Sequence, residues 1–187
     1  MDDKFRNKYR ISSARLQNWD YASEGAYFIT ICTKDRLPFF GKIENGKMIL
    51  SNIGVIADLM WYEIKNHSKN IELGEFVVMP NHVHGVLILN VNGLNTNVET
   101  LHATSLPPTE KNKFMSEISP KSNSISTIIR SYKSAVTKHG HRLGFKFEWQ
   151  SRFYDHIIRD AKSFENIQNY IVDNPLNWGK DKFYANE

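Results

Sequence analysis

Two histidines one residue apart, His82 and His84, and a tyrosine one helical turn ahead of an asparagine, Tyr170 and Asn174, are the side chains whose types and spacing could do chemistry. If His82 to Leu89 (HVHGVLIL) forms a strand, positions i and i+2 project from one face about 6 to 7 Å apart. Both imidazoles can then converge on one metal ion, while Val83 and Gly85 turn the other way, Val83 into the core. Taken alone, an H-x-H pair beside a turn is more often two solvent-facing strand residues. Tyr170 and Asn174 lie at i and i+4, so on a helix they share one face. A phenol, with a reference pKa of about 10, is a poor nucleophile at neutral pH, so a tyrosine that attacks phosphorus needs a divalent cation to polarise the phosphate. Two imidazoles plus a carboxamide oxygen, with positions left open, suit Mg²⁺ or Mn²⁺ better than a closed structural zinc site. The bland reading stands beside this one: Tyr170 fits the stripe Phe164, Ile167, Ile171 as a half-buried core aromatic, and Asn174 before Pro175 is an ordinary helix terminator.

The elements that would have to position these groups are legible as periodicities. Tyr27 to Thr33 (YFITICT) reads as a buried strand. Phe39 to Ile43 and Lys47 to Leu50 flank Glu44-Asn45-Gly46, and Asn-Gly between apolar runs predicts a hairpin. Ile53, Ile56, Met60 and Ile64 recur at helical spacing over Asn52 to about His67, with Asn52 as N-cap. Glu75 to Met79 and His82 to Leu89 form two antiparallel strands joined through Pro80-Asn81. Residues 91–123 are rich in Asn, Thr, Ser and Pro, with three cations against three acids, and read as a long loop or disordered insertion. A second helix is expected over Ser124 to Lys138, capped by Ser124 and stopped by Gly140, then a strand over Phe147 to Ile158 and a last helix over Ala161 to Asp173. Without the hairpin, insertion and last helix the order is β-α-β-β-α-β. That predicts an α+β, ferredoxin-like antiparallel sheet with helices on one face, plus an extra C-terminal helix carrying the tyrosine.

Composition bounds the class. The 187 residues amount to one ordinary domain: a polar leader over 1–26, a single domain over 27–178 and a tail over 179–187. Hydrophobic residues make up 41%, too many for a disordered chain, and the mean hydropathy of -0.47 excludes an integral membrane protein. The single cysteine, Cys32, allows neither an internal disulfide nor a cysteine-built zinc site. With no apolar signal-peptide region, a cytoplasmic location and no membrane partner are expected. The net charge of +4 permits a polyanionic partner without demanding one.

Three segments together carry a resemblance: Met79-Pro80-Asn81-His82-Val83-His84, Trp149 to His156 (WQSRFYDH), and Tyr170-Ile171-Val172-Asp173-Asn174-Pro175. The chain resembles the HUH single-strand transposases with one catalytic tyrosine, most closely the REP-associated tyrosine transposases, from about Tyr27 to Trp178. The resemblance implies that His82 and His84 bind the divalent metal, Mg²⁺ or Mn²⁺. It implies that Tyr170 is the nucleophile and that Asn174 completes the metal site. The implied activity is nicking and rejoining of single-stranded DNA, hairpin-containing or repetitive, through a 5′-phosphotyrosine with a free 3′-hydroxyl. In this superfamily a homodimer can form by sheet extension, and the tyrosine can act in cis or in trans.

The basic residues fit that substrate. Seven cations against three acids lie between Ser124 and Asp160, and Arg130, Lys133, Lys138, Arg142, Arg152 and Arg159, with Trp149 as a stacking surface, are the expected DNA contacts. Each of them singly is about as well explained by a solvated face or a core aromatic. Tyr154, beside Asp155, is a rival nucleophile, ranked below Tyr170 because it sits on a strand without a one-turn asparagine partner. Two other functions remain in contention: a catalytically silent hairpin-binding protein of the same fold, and a small zinc enzyme unrelated to DNA built on His82, His84 and a further histidine.

Overall fold

The structure is a computed structural model that describes residues 4–5, 8–9, 20–68, 70–90 and 123–184. The insertion read over 91–123, apart from its last residue, and most of the leader lie outside the described residues. The elements run β1 (Gly25–Cys32), β2 (Gly41–Glu44), β3 (Lys47–Leu50), α1 (Asn52–His67), β4 (Ile71–Met79), β5 (His82–Leu89), α2 (Ile125–Arg142), β6 (Tyr154–Ile158) and α3 (Ala161–Asp173). A short pair, Lys4–Phe5 with Lys8–Tyr9, precedes them, and 3₁₀ turns lie at Lys34–Arg36 and Trp178–Lys180.

Four strands form one antiparallel sheet in the order β4-β5-β1-β6. That is the ferredoxin-like arrangement expected from the element order. β1 and β5 are the two inner strands, and both are buried along most of their length. Alternate residues of β1 and β5 (Tyr27, Ile29, Ile31; Val83, Leu87, Leu89) enter the main core with α1 and α2. The other face buries Val86, Ile158 and Ile171, joined by Phe28, Val77, Ile88, Phe164 and Ile167. α1 and α2 therefore cover one face, and the tyrosine helix α3 lies on the opposite one.

Local chemistry sets the ends, and some differ from the sequence reading. Ser51, not Asn52, caps α1, its hydroxyl accepting from the Gly54 amide at 3.1 Å. Ser124 caps α2 as expected, but Gly140 does not stop it: the helix runs to Arg142 with Gly140 buried. A Cβ there would come within 2.6 Å of Ile53, so the glycine serves the close crossing of α1 and α2. β4 starts at Ile71 rather than Glu75, with a bulge between Leu73 and Phe76 that breaks the alternation. The expected strand Phe147 to Ile158 is strand only over Tyr154–Ile158. Upstream of it, Phe147 and Trp149 turn inward to stack with Phe40, and one bridge, Thr33 to Trp149, marks the edge. Asp160 caps α3 through the Ser163 amide at 2.8 Å.

Among the described residues no helix is long and apolar enough to cross a membrane. Gly85, between His84 and Val86 in sequence, faces the main core, where the Trp61 indole occupies the space a side chain would need. Gly85→Ala is expected to destabilise the fold by about 1–3 kcal/mol through overpacking, read as a lower urea midpoint at unchanged m-value.

Candidate metal and tyrosine site

The pleat of β5 puts His82, His84, Val86 and Ile88 on the face opposite the main core. The β1–β5 register sets Thr30 opposite His84 and Cys32 opposite His82. Thr30 Oγ1 and His84 Nδ1 are 2.9 Å apart, which turns His84 Nε2 away from the sheet. The two imidazoles are buried with ring centroids 4.3 Å apart. Nδ1 of His82 is 2.8 Å from the Asn81 carboxamide oxygen, and its Nε2 is buried with no hydrogen-bond partner among the described residues.

α3 crosses this face with Phe164, Ile167 and Ile171 inward. That orientation leaves Tyr170 on the flank, 42% exposed, with its ring edge-on to Phe28 at 6.1 Å. The phenol oxygen is 3.3 Å from His84 Nε2, and it donates to Asp181 Oδ2 at 3.2 Å. Asn174, one turn on, is buried, and its amide nitrogen donates to the same Asp181 oxygen at 3.0 Å. Asn174 Oδ1 is thereby left buried without a partner among the described residues.

Asp181 is the group that sequence reasoning missed. It lies in the segment set aside as a tail, which turns back after Pro175 and buries Phe183 against His82, ring centroids 4.7 Å apart. Asp181 Oδ1 accepts from the Phe183 amide at 2.7 Å, which fixes the carboxylate. The ligand atoms of His82, His84 and Asp181 all lie within 4.8 Å of one another, so this cluster could hold a metal ion. A signal was present: hard divalent ions favour a carboxylate, and after Asp173 the chain offers only Asp181 and Glu187. Two buried atoms without a partner among the described residues belong to this group of side chains: His82 Nε2, on a member of the cluster, and Asn174 Oδ1, whose amide nitrogen donates to the cluster's carboxylate.

Electrostatics agree with neutral, lone-pair-bearing rings. Burial, then the neighbouring imidazole, then Lys182 and Arg36 hold the His82 pKa well below its ordinary value. Burial takes His84 down to about 4, against a smaller upward pull from Asp181. Burial and then the Asp181 charge push Tyr170 up to about 12, so the resting phenol keeps its proton. Arg36 and Lys182, both over the Phe183 ring at 5.1 and 4.9 Å, are cations at the site that were not singled out from sequence.

The seven expected DNA contacts are not gathered around this site. Arg130, Lys138 and Arg142 project from the exposed side of α2, in the layer across the sheet from the imidazoles, and Arg152 and Arg159 are exposed near β6. Lys133 is half-buried and donates to the Gln150 carbonyl at 2.6 Å, while Trp149 packs among Phe40, Tyr132 and Phe147. The rival Tyr154 lies opposite Thr30 in the cross-strand row that contains His84, about 10 Å from β5 by two strand spacings.

Over 92% of both chains, the sequence is 38% identical to a Haemophilus influenzae protein described only as uncharacterized. The chain belongs to that protein's family. No family model matches. Among solved structures, a REP-associated tyrosine transposase bound to a REP hairpin aligns with TM-score 0.54 and 20% identity, over 92% of this chain and 77% of that one. The fold of this chain is therefore that of a REP-associated tyrosine transposase, as the motifs implied. A Deinococcus radiodurans protein of transposase description aligns at TM-score 0.37 with 14% identity, over 88% of this chain and 96% of its own.

Because both imidazoles are neutral in the fold while the unfolded chain binds protons below about pH 6.5, stability must rise with pH across the interval between about 4 and 6.5. In EDTA His84 alone is expected to cost the protein on the order of 3 kcal/mol as pH falls from 6.5 to 4, with His82 adding to it, read by chemical denaturation. His84→Gln should flatten that slope.

Proposed function

We propose that this chain is a metal-dependent single-stranded DNA transposase, cutting and rejoining hairpin or repetitive DNA through Tyr170. The observation that carries this reading is one juxtaposition: the phenol lies 3.3 Å from a buried imidazole of the H-x-H pair and 3.2 Å from a carboxylate, on the fold of a tyrosine transposase. His82, His84, Asn174 and Asp181 are the residues that would hold Mg²⁺ or Mn²⁺. When bound, such an ion withdraws charge from a phosphate placed beside it.

The chain's own groups then divide the work. Tyr170 Oη attacks phosphorus while the bond from phosphorus to the 3′ oxygen breaks, leaving a 5′-phosphotyrosine. The phenolic proton passes to Asp181 Oδ2, its present hydrogen-bond acceptor, and the departing 3′ oxygen takes a proton from water. The same groups run the reaction backward when a 3′-hydroxyl returns, since the covalent link retains the energy of the broken bond. Phe28 and Ile171 hold the helix so that the phenol faces the imidazoles. Arg36 and Lys182 supply cations beside the reacting phosphate. Arg130, Lys138, Arg142, Arg152 and Arg159 offer a longer path for the backbone, with Lys133 and Trp149 supporting it from beneath.

Incubating the protein with labelled hairpin-bearing single-stranded DNA and Mn²⁺ is expected to give a covalent adduct on denaturing gels. Tyr170→Phe should abolish the adduct while retaining DNA binding, and Tyr154→Phe should leave it. An adduct that survives Tyr170→Phe overturns the assignment, and binding with no adduct from the unmodified protein points instead to the silent hairpin-binding protein.

A further inference from the structure

The side chain that decides whether His82 can serve as a ligand at all is its sequence neighbour. Asn81 is buried, and its amide nitrogen donates to two main-chain carbonyls, Phe183 O at 2.8 Å and Arg36 O at 3.2 Å. Those two acceptors fix which end of the carboxamide is nitrogen, so the atom 2.8 Å from His82 Nδ1 is the oxygen. A carbonyl oxygen can only accept, so Nδ1 carries the proton and Nε2 the lone pair. Nε2 is the atom left buried without a partner. Asn81 is itself held from its main chain, where the Thr33 amide donates to its carbonyl at 2.9 Å.

The partners of Asn81 come from three separated parts of the chain. Arg36 stands in a turn where two consecutive non-glycine residues, Asp35 and Arg36, adopt left-handed backbone angles (φ 53° and 56°), a strained arrangement that persists only when surrounding contacts hold it. Phe183 belongs to the segment that carries Asp181. No other residue type does all three jobs. Aspartate accepts the imidazole proton but has no N–H for the carbonyls, glutamine is one methylene too long, and an apolar isostere does neither.

We propose that Asn81 is a positioning residue that fixes the His82 tautomer with Nε2 free for the metal and, through the same carboxamide, pins the Arg36 turn and the Asp181 segment to the site. The inference rests on the reading of His82 as a ligand. A side chain that orients a ligating imidazole in this way affects metal affinity by about 10–100-fold.

The test uses the full chain, with Mn²⁺ as the probe in calorimetric titration and ¹⁵N NMR of the histidine rings in metal-free protein. In the unmodified protein His82 should show a protonated Nδ1 and a bare Nε2. Asn81→Leu should mix the tautomers and weaken Mn²⁺ binding by about 10–100-fold. Asn81→Asp, which keeps the acceptor but loses the N–H, should hold the tautomer while exposing the chain near Phe183 to protease and, with Asp181 less firmly held, should weaken Mn²⁺ binding by less than Asn81→Leu does; it also carries the test if Asn81→Leu does not fold. An Nε2-protonated His82 in the unmodified protein overturns the proposal. So does an Asn81→Leu variant with unchanged tautomer and Mn²⁺ affinity, or an Asn81→Asp variant that loses the tautomer or stays protected near Phe183. Failure of the unmodified protein to bind Mn²⁺ overturns the ligand reading itself and is told apart by a tautomer that still depends on Asn81.

Discussion

Two imidazoles are buried side by side with ring centroids 4.3 Å apart, and neither can take up a proton without stranding a charge beside its twin. That constraint organises the molecule around them. Their inner nitrogens meet neutral partners, the Thr30 hydroxyl and the Asn81 carboxamide, which orient the rings and leave them uncharged. The charged groups nearest them are the Asp181 carboxylate, within 4.8 Å of their ligand atoms, and the Arg36 and Lys182 cations. A pair of rings prepared this way presents lone pairs rather than protons, which is what a cation requires of them.

The sheet makes the arrangement affordable by separating its two faces. One face of β5 sends Val83, Leu87 and Leu89 into the main core, and the large buried cluster built with α1 and α2 holds the strand straight. The other face has a smaller apolar patch, Val86 with Ile158 and Ile171 and the half-buried residues packed on them, which seats α3. Polar chemistry therefore sits on a rigid support without interrupting the core. Gly85 shows how tight that support is, since the residue following the second histidine must leave its place to the Trp61 ring.

Much of this was legible from spacing, because strand alternation and helical periodicity are local properties. The β1 and β5 strands, the Asn45-Gly46 hairpin and the faces of α2 and α3 follow directly from apolar positions, as does the pairing of Tyr170 with Asn174. What escaped has non-local causes. The bulge in β4 scrambles the alternation that marks a strand, Gly140 is a contact point between helices and not a terminator, and Phe147 and Trp149 leave the strand register for an aromatic stack that only the folded chain assembles. Asp181 reaches the site through a chain reversal with no periodic signature. The cations between Ser124 and Asp160 were visible as composition, but composition carries no information on which side of a sheet they emerge.

One small contact ties the sheet edge to the reactive helix. At the β4 bulge the Glu75 amide is freed from the ladder and donates instead to Gln168 Oε1 of α3, at 2.9 Å. Strand and helix thereby share a hydrogen bond worth about 0.5–1.5 kcal/mol, which couples the turn of helix before Tyr170 to the sheet margin. Loosening of the β-edge costs the helix that bond, so part of the freedom of the phenol is tied to the breathing of the sheet margin.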